Sequence, residues 1–254
     1  MKNITIFMTG ARSSLGQAVI NILPPEVPLT LFLVDACVQA AEEAVSKLNP
    51  MWDVTFIPHK FQNAKDLPGL APVLQKKLGA VQRHSIDLYL DLQSYAGPSM
   101  PIAQTVLGNI TTTFQENVFG PFALLQGVLP LLLARVGEKP GIIVMPFYER
   151  LETDPAFKAD FVAARRAYYT LVTALVAEQR DNAVRLEQVQ LPQADIALMR
   201  NFFPGDPQLE TDKALEECAR ALLFPLFSSS DNDTMADTGG KSDADFSKNV
   251  CFLT

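Results

Sequence analysis

The sequence predicts an α/β fold: a single-domain, doubly wound parallel sheet of about seven strands with helices on both faces. Three observations carry this. Short apolar runs alternate with longer helical patterns along the chain. The runs are short and bounded by turn residues, as in strands buried on both faces of a parallel sheet. Their alternation with helices implies right-handed crossovers between parallel neighbours. Finally, no repeat or linker-like stretch divides the 254 residues, a length that suits one large domain, so 1–254 is read as a single unit.

The elements follow in order. "ITIFMT" (4–9) is the first strand and "SSLGQAVINIL" (13–23) its helix. "LTLFLV" (29–34) precedes "VQAAEEAVSKL" (38–48), and "DVTFIP" (53–58) precedes "AKDLPGLAPVLQKKL" (64–78). "DLYLDL" (87–92) leads through a loop into a long helical segment, 110–135. "GIIVMP" (141–146) leads to the helix "KADFVAARRAYYTLVTALVAE" (158–178). "VRLEQVQL" (184–191) leads through loop and helix to a closing strand, "NVCFL" (249–253). The polar stretch "SSSDNDTMADTGGKSDAD" (228–245) reads as an exposed, mobile loop.

Composition narrows the function classes. Apolar residues make up 48% and charged residues 19%, which suits a soluble protein with a sizeable core. A net charge of −7 argues against nucleic acid and against an anionic membrane surface. The three cysteines are scattered and the two histidines, His59 and His84, read as surface or capping residues, so neither a disulfide framework nor a metal site is expected. A reducing, cytoplasmic setting follows. The N-terminus reads as a buried strand and not as a signal peptide, and no apolar run is expected to approach the ~20 residues of a membrane span. The ending "CFLT" has the outline of a prenylation box, but no basic stretch precedes it, and the simpler reading is the strand "KNVCFL".

The first strand ends in "TGARSSLG" (9–16) and a helix follows at once. This is the Rossmann-type arrangement in which a Gly-rich turn places pyrophosphate on a helix N-terminus. Asp35 lies 19 residues after Gly16, at the end of the second strand, where a carboxylate accepts hydrogen bonds from an adenosine ribose. That carboxylate repels a 2′-phosphate and favours NAD; Arg12, in the turn, offers a partner for the phosphate and favours NADP.

With these residues in view, the sequence resembles the short-chain dehydrogenase/reductase family, whose turn reads T-G-x-x-x-G-x-G. "LQSYAGP" (92–98) stands where that family has N-N-A-G, and "ENVFG" (116–120) matches its N-V-x-G. "GIIVMPFY" (141–148) matches the strand that ends in its serine, and "FVAAR" (161–165) matches Y-x-x-x-K at the family's serine-to-tyrosine spacing. "LPQADIA" (191–197) falls on the P-G-x-x-x-T turn. Within the family the passage "ALVAEQRDNAVRL" and the ending "FSKNVCFLT" are most similar to sepiapterin reductases.

The resemblance implies a cofactor cleft formed by Gly10, Arg12, Ser14, Leu15, Gly16, Asp35, Lys60, Ser94, Ala96, Gly97, Arg165, Pro192 and Ile196. It implies catalytic positions at Asn117, Tyr148, Phe161 and Arg165, and a homodimer or homotetramer built on the long helices, where Ala163, Ala167 and Ala174 permit close approach. The departures all fall on chemistry. Phe161 replaces the tyrosine that transfers the proton, a general acid–base contribution of about 10²–10⁴-fold. Arg165 replaces the lysine that lowers that tyrosine's pKa, and a guanidinium cannot be tuned toward neutrality. Tyr148 replaces the serine that steadies the substrate carbonyl. Ser14, Lys60, Ser94, Tyr95, Gln193 and Ala197 replace residues that hold the dinucleotide, and Thr254 stands where a pterin-anchoring aspartate is implied.

Tyr148 reads either as a relocated acid beside Arg165 or, more simply, as an aromatic plug; Tyr168 and Tyr169 read as core or dimer-face aromatics. The expectation is a catalytically impaired member of the family that binds NAD or NADP weakly, holds no metal and acts through protein contacts. The alternative is an NAD(P)H-dependent reductase of a small carbonyl or pterin with rearranged acid–base groups.

Overall fold

The computed structural model describes residues 3–35, 48–58, 70–80, 85–133, 139–148, 158–179, 183–191 and 212–227. Six strands, β1 (Ile4–Thr9), β2 (Leu29–Asp35), β3 (Asp53–Pro58), β4 (Leu88–Asp91), β5 (Gly141–Phe147) and β6 (Val184–Gln190), form one sheet. Their order is β3-β2-β1-β4-β5-β6 and every neighbouring pair is parallel. The chain therefore winds outward in both directions from β1 and β4. In open α/β sheets of this kind ligands bind at the strands' carboxyl ends, at the point where the winding reverses.

The apolar runs are continuous because both faces of the sheet are covered. Ile6, Met8, Leu31, Leu33, Leu88, Leu90 and Val144 share one core with helices α1 (Ser14–Ile22) and α6 (Asp212–Phe227). Phe7, Phe32, Tyr89, Ile143 and Met145 share the other with α2 (Leu70–Ala80), α4 (Gly120–Leu133) and α5 (Ala159–Ala177). Period-two alternation along each strand sends successive residues to opposite cores. Phe7 stacks on Phe32 and on Tyr89 at ring-centroid distances of 6.3 and 5.5 Å, joining three strands through aromatic contact.

Two expectations are corrected. β3 is not buried on both faces: Asp53 and Pro58 are exposed and the residues between them are half-buried. Among the described strands β3 pairs with β2 alone, so one of its edges lacks a neighbour there. An apolar stretch of membrane-spanning length does exist: α3 (Leu107–Phe114), a π-helical turn (Gln115–Phe119) and α4 run on without a break, and a window within 107–133 has a mean hydropathy of 1.3. Half of that window is buried inside the fold. The stretch is apolar because it covers the sheet, and Thr113 and Asn117 within it make buried hydrogen bonds.

The expected closing strand at 249–253, the loop 228–245, the helix at 38–48 except Leu48, the ending "CFLT", His59, Lys60, His84, Pro192, Gln193, Ile196, Ala197 and Thr254 lie outside the described residues.

Candidate functional site

The turn after β1 is shaped by two glycines and one capping serine. Gly10 has φ of 65°, a left-handed conformation that costs a side-chain-bearing residue about 1–3 kcal/mol. A Cβ there would stand 2.6 Å from the Leu92 carbonyl oxygen. The Ser13 hydroxyl accepts the Gly16 N–H at 2.9 Å and caps α1. A Cβ on Gly16 would collide with the Gly10 carbonyl oxygen and with the Ala11 carbonyl group, so this glycine lets the helix pack against its own entry turn. Gly16→Ala is expected to lower stability by about 1–3 kcal/mol, read as a lower urea midpoint with an unchanged m-value.

Asp35 closes the turn from the end of β2. It accepts the Arg12 backbone N–H at 3.3 Å, and the Arg12 guanidinium lies 4.0 Å from its other oxygen. The two residues that argued for different dinucleotides thus face each other. Ser14 and Leu15 open α1, with Leu15 buried at the turn.

At the end of β4 the polypeptide is held by Thr9. Its hydroxyl donates to Asp91 Oδ1 at 2.7 Å and accepts the N–H groups of Leu92 and Gln93, each at 3.1 Å. The backbone against Gly10 is therefore Leu92–Gln93, and Ser94, Tyr95, Ala96 and Gly97 lie beyond it along the chain. Those four residues and Ser99 line an open cavity of about 540 Å³. Asn117, fully buried in the π-helical turn, clamps this loop. Its Oδ1 accepts the Tyr95 N–H at 2.9 Å, and its Nδ2 donates to the carbonyls of Tyr95 and Thr113 at 2.8 and 2.9 Å. Single π-helical turns occur often at functional sites, and this one turns the amide toward the loop.

The start of α5 carries the altered positions. Asp160 accepts the Thr113 hydroxyl at 2.8 Å, tying α5 to α3. Phe161 is 1% exposed and Tyr148 4% exposed, their rings tilted by 37° at a centroid distance of 6.5 Å. The Tyr148 hydroxyl lies 3.4 Å from Ser94 Oγ. Two aromatic rings thus close the space beside the Ser94–Ser99 loop.

Arg165 points into the protein. Its guanidinium lies 3.8 Å from Asp91 Oδ2, donates to the Gln93 carbonyl at 3.4 Å, and places its central carbon 5.7 Å from the centre of the Tyr168 ring. Asp91 is fully buried. Burial pushes its carboxyl above the usual range, and Arg165 and the Thr9 hydroxyl pull it back only in part. Burial, reinforced by the Asp91 charge, pushes the Tyr89 and Tyr168 hydroxyls well above the ordinary phenol value. Tyr168 interacts with both Asp91 and Tyr89, yet among the described residues neither phenol oxygen nor Asp91 Oδ2 has a hydrogen bond of ordinary geometry. Tyr168 is therefore a core residue, as expected, but one that belongs to a polar cluster.

Sequence reasoning missed Asp91. Its signal was present: a single acid inside "LYLDL", a strand otherwise apolar and buried. Its partner could not be named, because the register that sets β4 against α5 is a tertiary fact.

The two ends of the site differ. One has the glycine turn, the N-terminus of α1 and Asp35. At the other, two buried rings stand close together and Arg165 is turned inward to Asp91. Among the described residues no group of three or more His, Cys, Asp or Glu could hold a metal ion.

No protein-family model matches the sequence, and no curated protein sequence matches it. Solved structures do share its fold. A short-chain dehydrogenase from Pseudomonas syringae superposes with a TM-score of 0.74 at 18% identity, covering 87% of each chain. Levodione reductase gives 0.69 at 18% identity over 87% of this chain and 89% of its own. A short-chain dehydrogenase from Escherichia coli CFT073, complexed with NADPH, gives 0.67 at 19% identity over 81% of this chain and 83% of its own. The chain therefore has the Rossmann-like α/β fold of short-chain dehydrogenases/reductases, with six strands among the described residues.

Proposed function

We propose that this protein is a catalytically silent relative of the short-chain dehydrogenases/reductases, of sepiapterin reductase-like type, that binds NAD or NADP weakly and acts through protein contacts as a homodimer or homotetramer. One observation carries the reading. The positions of the proton-transferring tyrosine and its lysine hold a buried phenyl ring and a guanidinium committed to Asp91. A phenyl ring has no proton to give, and a guanidinium already paired inside the protein does not serve a substrate or a ribose. The glycine turn and Asp35 remain suited to an adenosine, which supports weak dinucleotide affinity without turnover.

Steady-state assays with NADH and with NADPH against dicarbonyl, pterin and quinone substrates are expected to show no turnover, and Tyr148→Phe to change nothing. Calorimetry is expected to find weak dinucleotide binding that Asp35→Ala weakens further. A robust rate that Tyr148→Phe abolishes would overturn the proposal in favour of a second reading, a reductase with rearranged groups. One observation favours that reading: Tyr148 and Arg165 line the same cavity, and the Tyr148 hydroxyl lies 3.4 Å from Ser94 Oγ.

A further inference from the structure

The turn after β1 and the end of β2 meet where Arg12 faces Asp35. We propose that Arg12 is an internal competitor for Asp35: it holds the carboxylate that an adenosine ribose would use, so the chain weakens its own hold on NAD. This deepens the reading above and rests on its dinucleotide affinity, not on the loss of turnover.

One residue engages both carboxylate oxygens. Asp35 Oδ2 accepts the Arg12 backbone N–H at 3.3 Å, and Oδ1 lies 4.0 Å from a guanidinium nitrogen of the same residue. The two contacts differ in what releases them. The backbone around Arg12 is fixed on either side. The Gly10 N–H donates to the Val34 carbonyl at 3.2 Å, the Ser13 N–H to the Gly10 carbonyl at 3.0 Å, and the Gln17 amide to the Ala11 carbonyl at 2.7 Å. The Arg12 side chain is 43% exposed and turns into solvent without disturbing that framework. Oδ1 is therefore the oxygen that changes hands. The Asp35 side chain is only 15% exposed, so little of its carboxylate is approachable without displacing a neighbour. A ribose hydroxyl that donates to Oδ1 takes the place of the guanidinium.

Competition fixes a sign that simple attraction would reverse. NAD carries a negative pyrophosphate, so loss of a nearby cation would ordinarily weaken its binding through the field. Salt screens that longer-range term, with a Debye length of about 8 Å at physiological ionic strength, and screens a contact at a partly buried carboxylate less. A half-exposed ion pair shifts an equilibrium by up to about fivefold, which sets the size of the effect. A 2′-phosphate reverses the outcome. Asp35 repels it, and the guanidinium fork turns from Asp35 to take it through charge-assisted hydrogen bonds. The same residue thus opposes NAD and assists NADP.

Titration calorimetry of the full chain with NAD and with NADP, at about 0.15 M salt, tests the proposal. Arg12→Ala and Arg12→Gln are each expected to tighten NAD by about two- to fivefold and to weaken NADP by about tenfold. The glutamine keeps most of the bulk and none of the charge, so it separates competition from crowding. Weaker or unchanged NAD affinity in either variant, or tightening by alanine alone, overturns the proposal. So does an NADP affinity that fails to fall, or NAD that binds neither the native chain nor either variant at millimolar concentration. Only the last of these also removes the dinucleotide affinity proposed above. Turnover of a substrate would remove the silent reading and leave the expected affinities as they are.

Discussion

Arg165→Met is expected to lower the unfolding free energy by about 3–5 kcal/mol, and Asp91→Asn combined with Arg165→Met to recover most of that loss. The first change leaves a fully buried carboxylate without its counter-charge. The second removes the charge as well. An asparagine at 91 keeps an oxygen for the Thr9 hydroxyl, and its amide hydrogens face two phenol oxygens, those of Tyr89 and Tyr168, that now lack good hydrogen bonds. A buried ion pair often contributes little net stability, because desolvating the two charges offsets their attraction, whereas removing one partner is costly. Urea unfolding of the two single variants and the double variant forms a cycle whose interaction energy reports the pair directly. Additive losses would show that the guanidinium and the carboxylate do not act together.

The same pair gives stability a pH dependence whose sign is fixed by burial. The Asp91 carboxyl is held above its ordinary 3.8, so the folded chain binds that proton more tightly than the unfolded chain. Its contribution favours folding fully below 3.8, declines as the pH rises from there through the raised value, and is constant beyond. Arg165 works against the shift, so Arg165→Met extends the declining window upward and Asp91→Asn removes it. Urea midpoints of the three chains, followed from acid to neutral pH, separate this carboxyl from the other acids, which all three share.

The framework of the site was legible in the sequence because it rests on local rules. β1, β2, β4 and β5 announce themselves as short apolar runs since both of their faces are covered, and β6 was placed as a strand too, although it is less fully buried than an apolar run implies. Gly10 and Gly16 mark a turn that tolerates no Cβ, and their spacing survives in the sequence because backbone contacts enforce it. Positions 148, 161 and 165 could be located for the same reason: the strand before the first and the helix that carries the other two were placed correctly. The rest depended on tertiary approach. That Arg165 turns inward follows from Asp91, which reaches it across the sheet face from β4. That Asn117 serves the Tyr95 backbone follows from a π-helical turn, and an extra residue per turn leaves no mark in apolar spacing. The cavity that Tyr148 and Arg165 line brings together β5, β6 and α5, which lie far apart in the chain.

Phe161→Tyr alone is expected to yield no reductase activity with NADH or NADPH. The new hydroxyl would enter a position that is 1% exposed, face the Tyr148 ring, and have no tunable amine beside it, since Arg165 is held by Asp91. A phenol of ordinary pKa is a poor proton shuttle near neutrality. The combination Phe161→Tyr, Arg165→Lys and Tyr148→Ser changes all three conditions. It supplies the phenol, replaces the guanidinium by an ammonium that lowers the phenol's pKa, and opens the space the second ring fills. Reduction of a dicarbonyl by this triple variant is expected to exceed that of Phe161→Tyr by about 10²–10⁴-fold, the usual contribution of a positioned general acid. Nicotinamide fluorescence decay in steady state measures both. Activity in the single variant would show that Tyr148 does not plug the site. A triple variant that binds dinucleotide but stays inactive would place the loss at Asp91, whose carboxylate draws the new ammonium inward, away from the phenol it should tune; Asp91→Asn added to the triple variant would then restore the rate. The order in which these changes act separates a missing group from an obstructed one. On the proposed reading the proton donor is absent at 161, the space is filled at 148, and at 165 the charge is committed to Asp91 inside the fold.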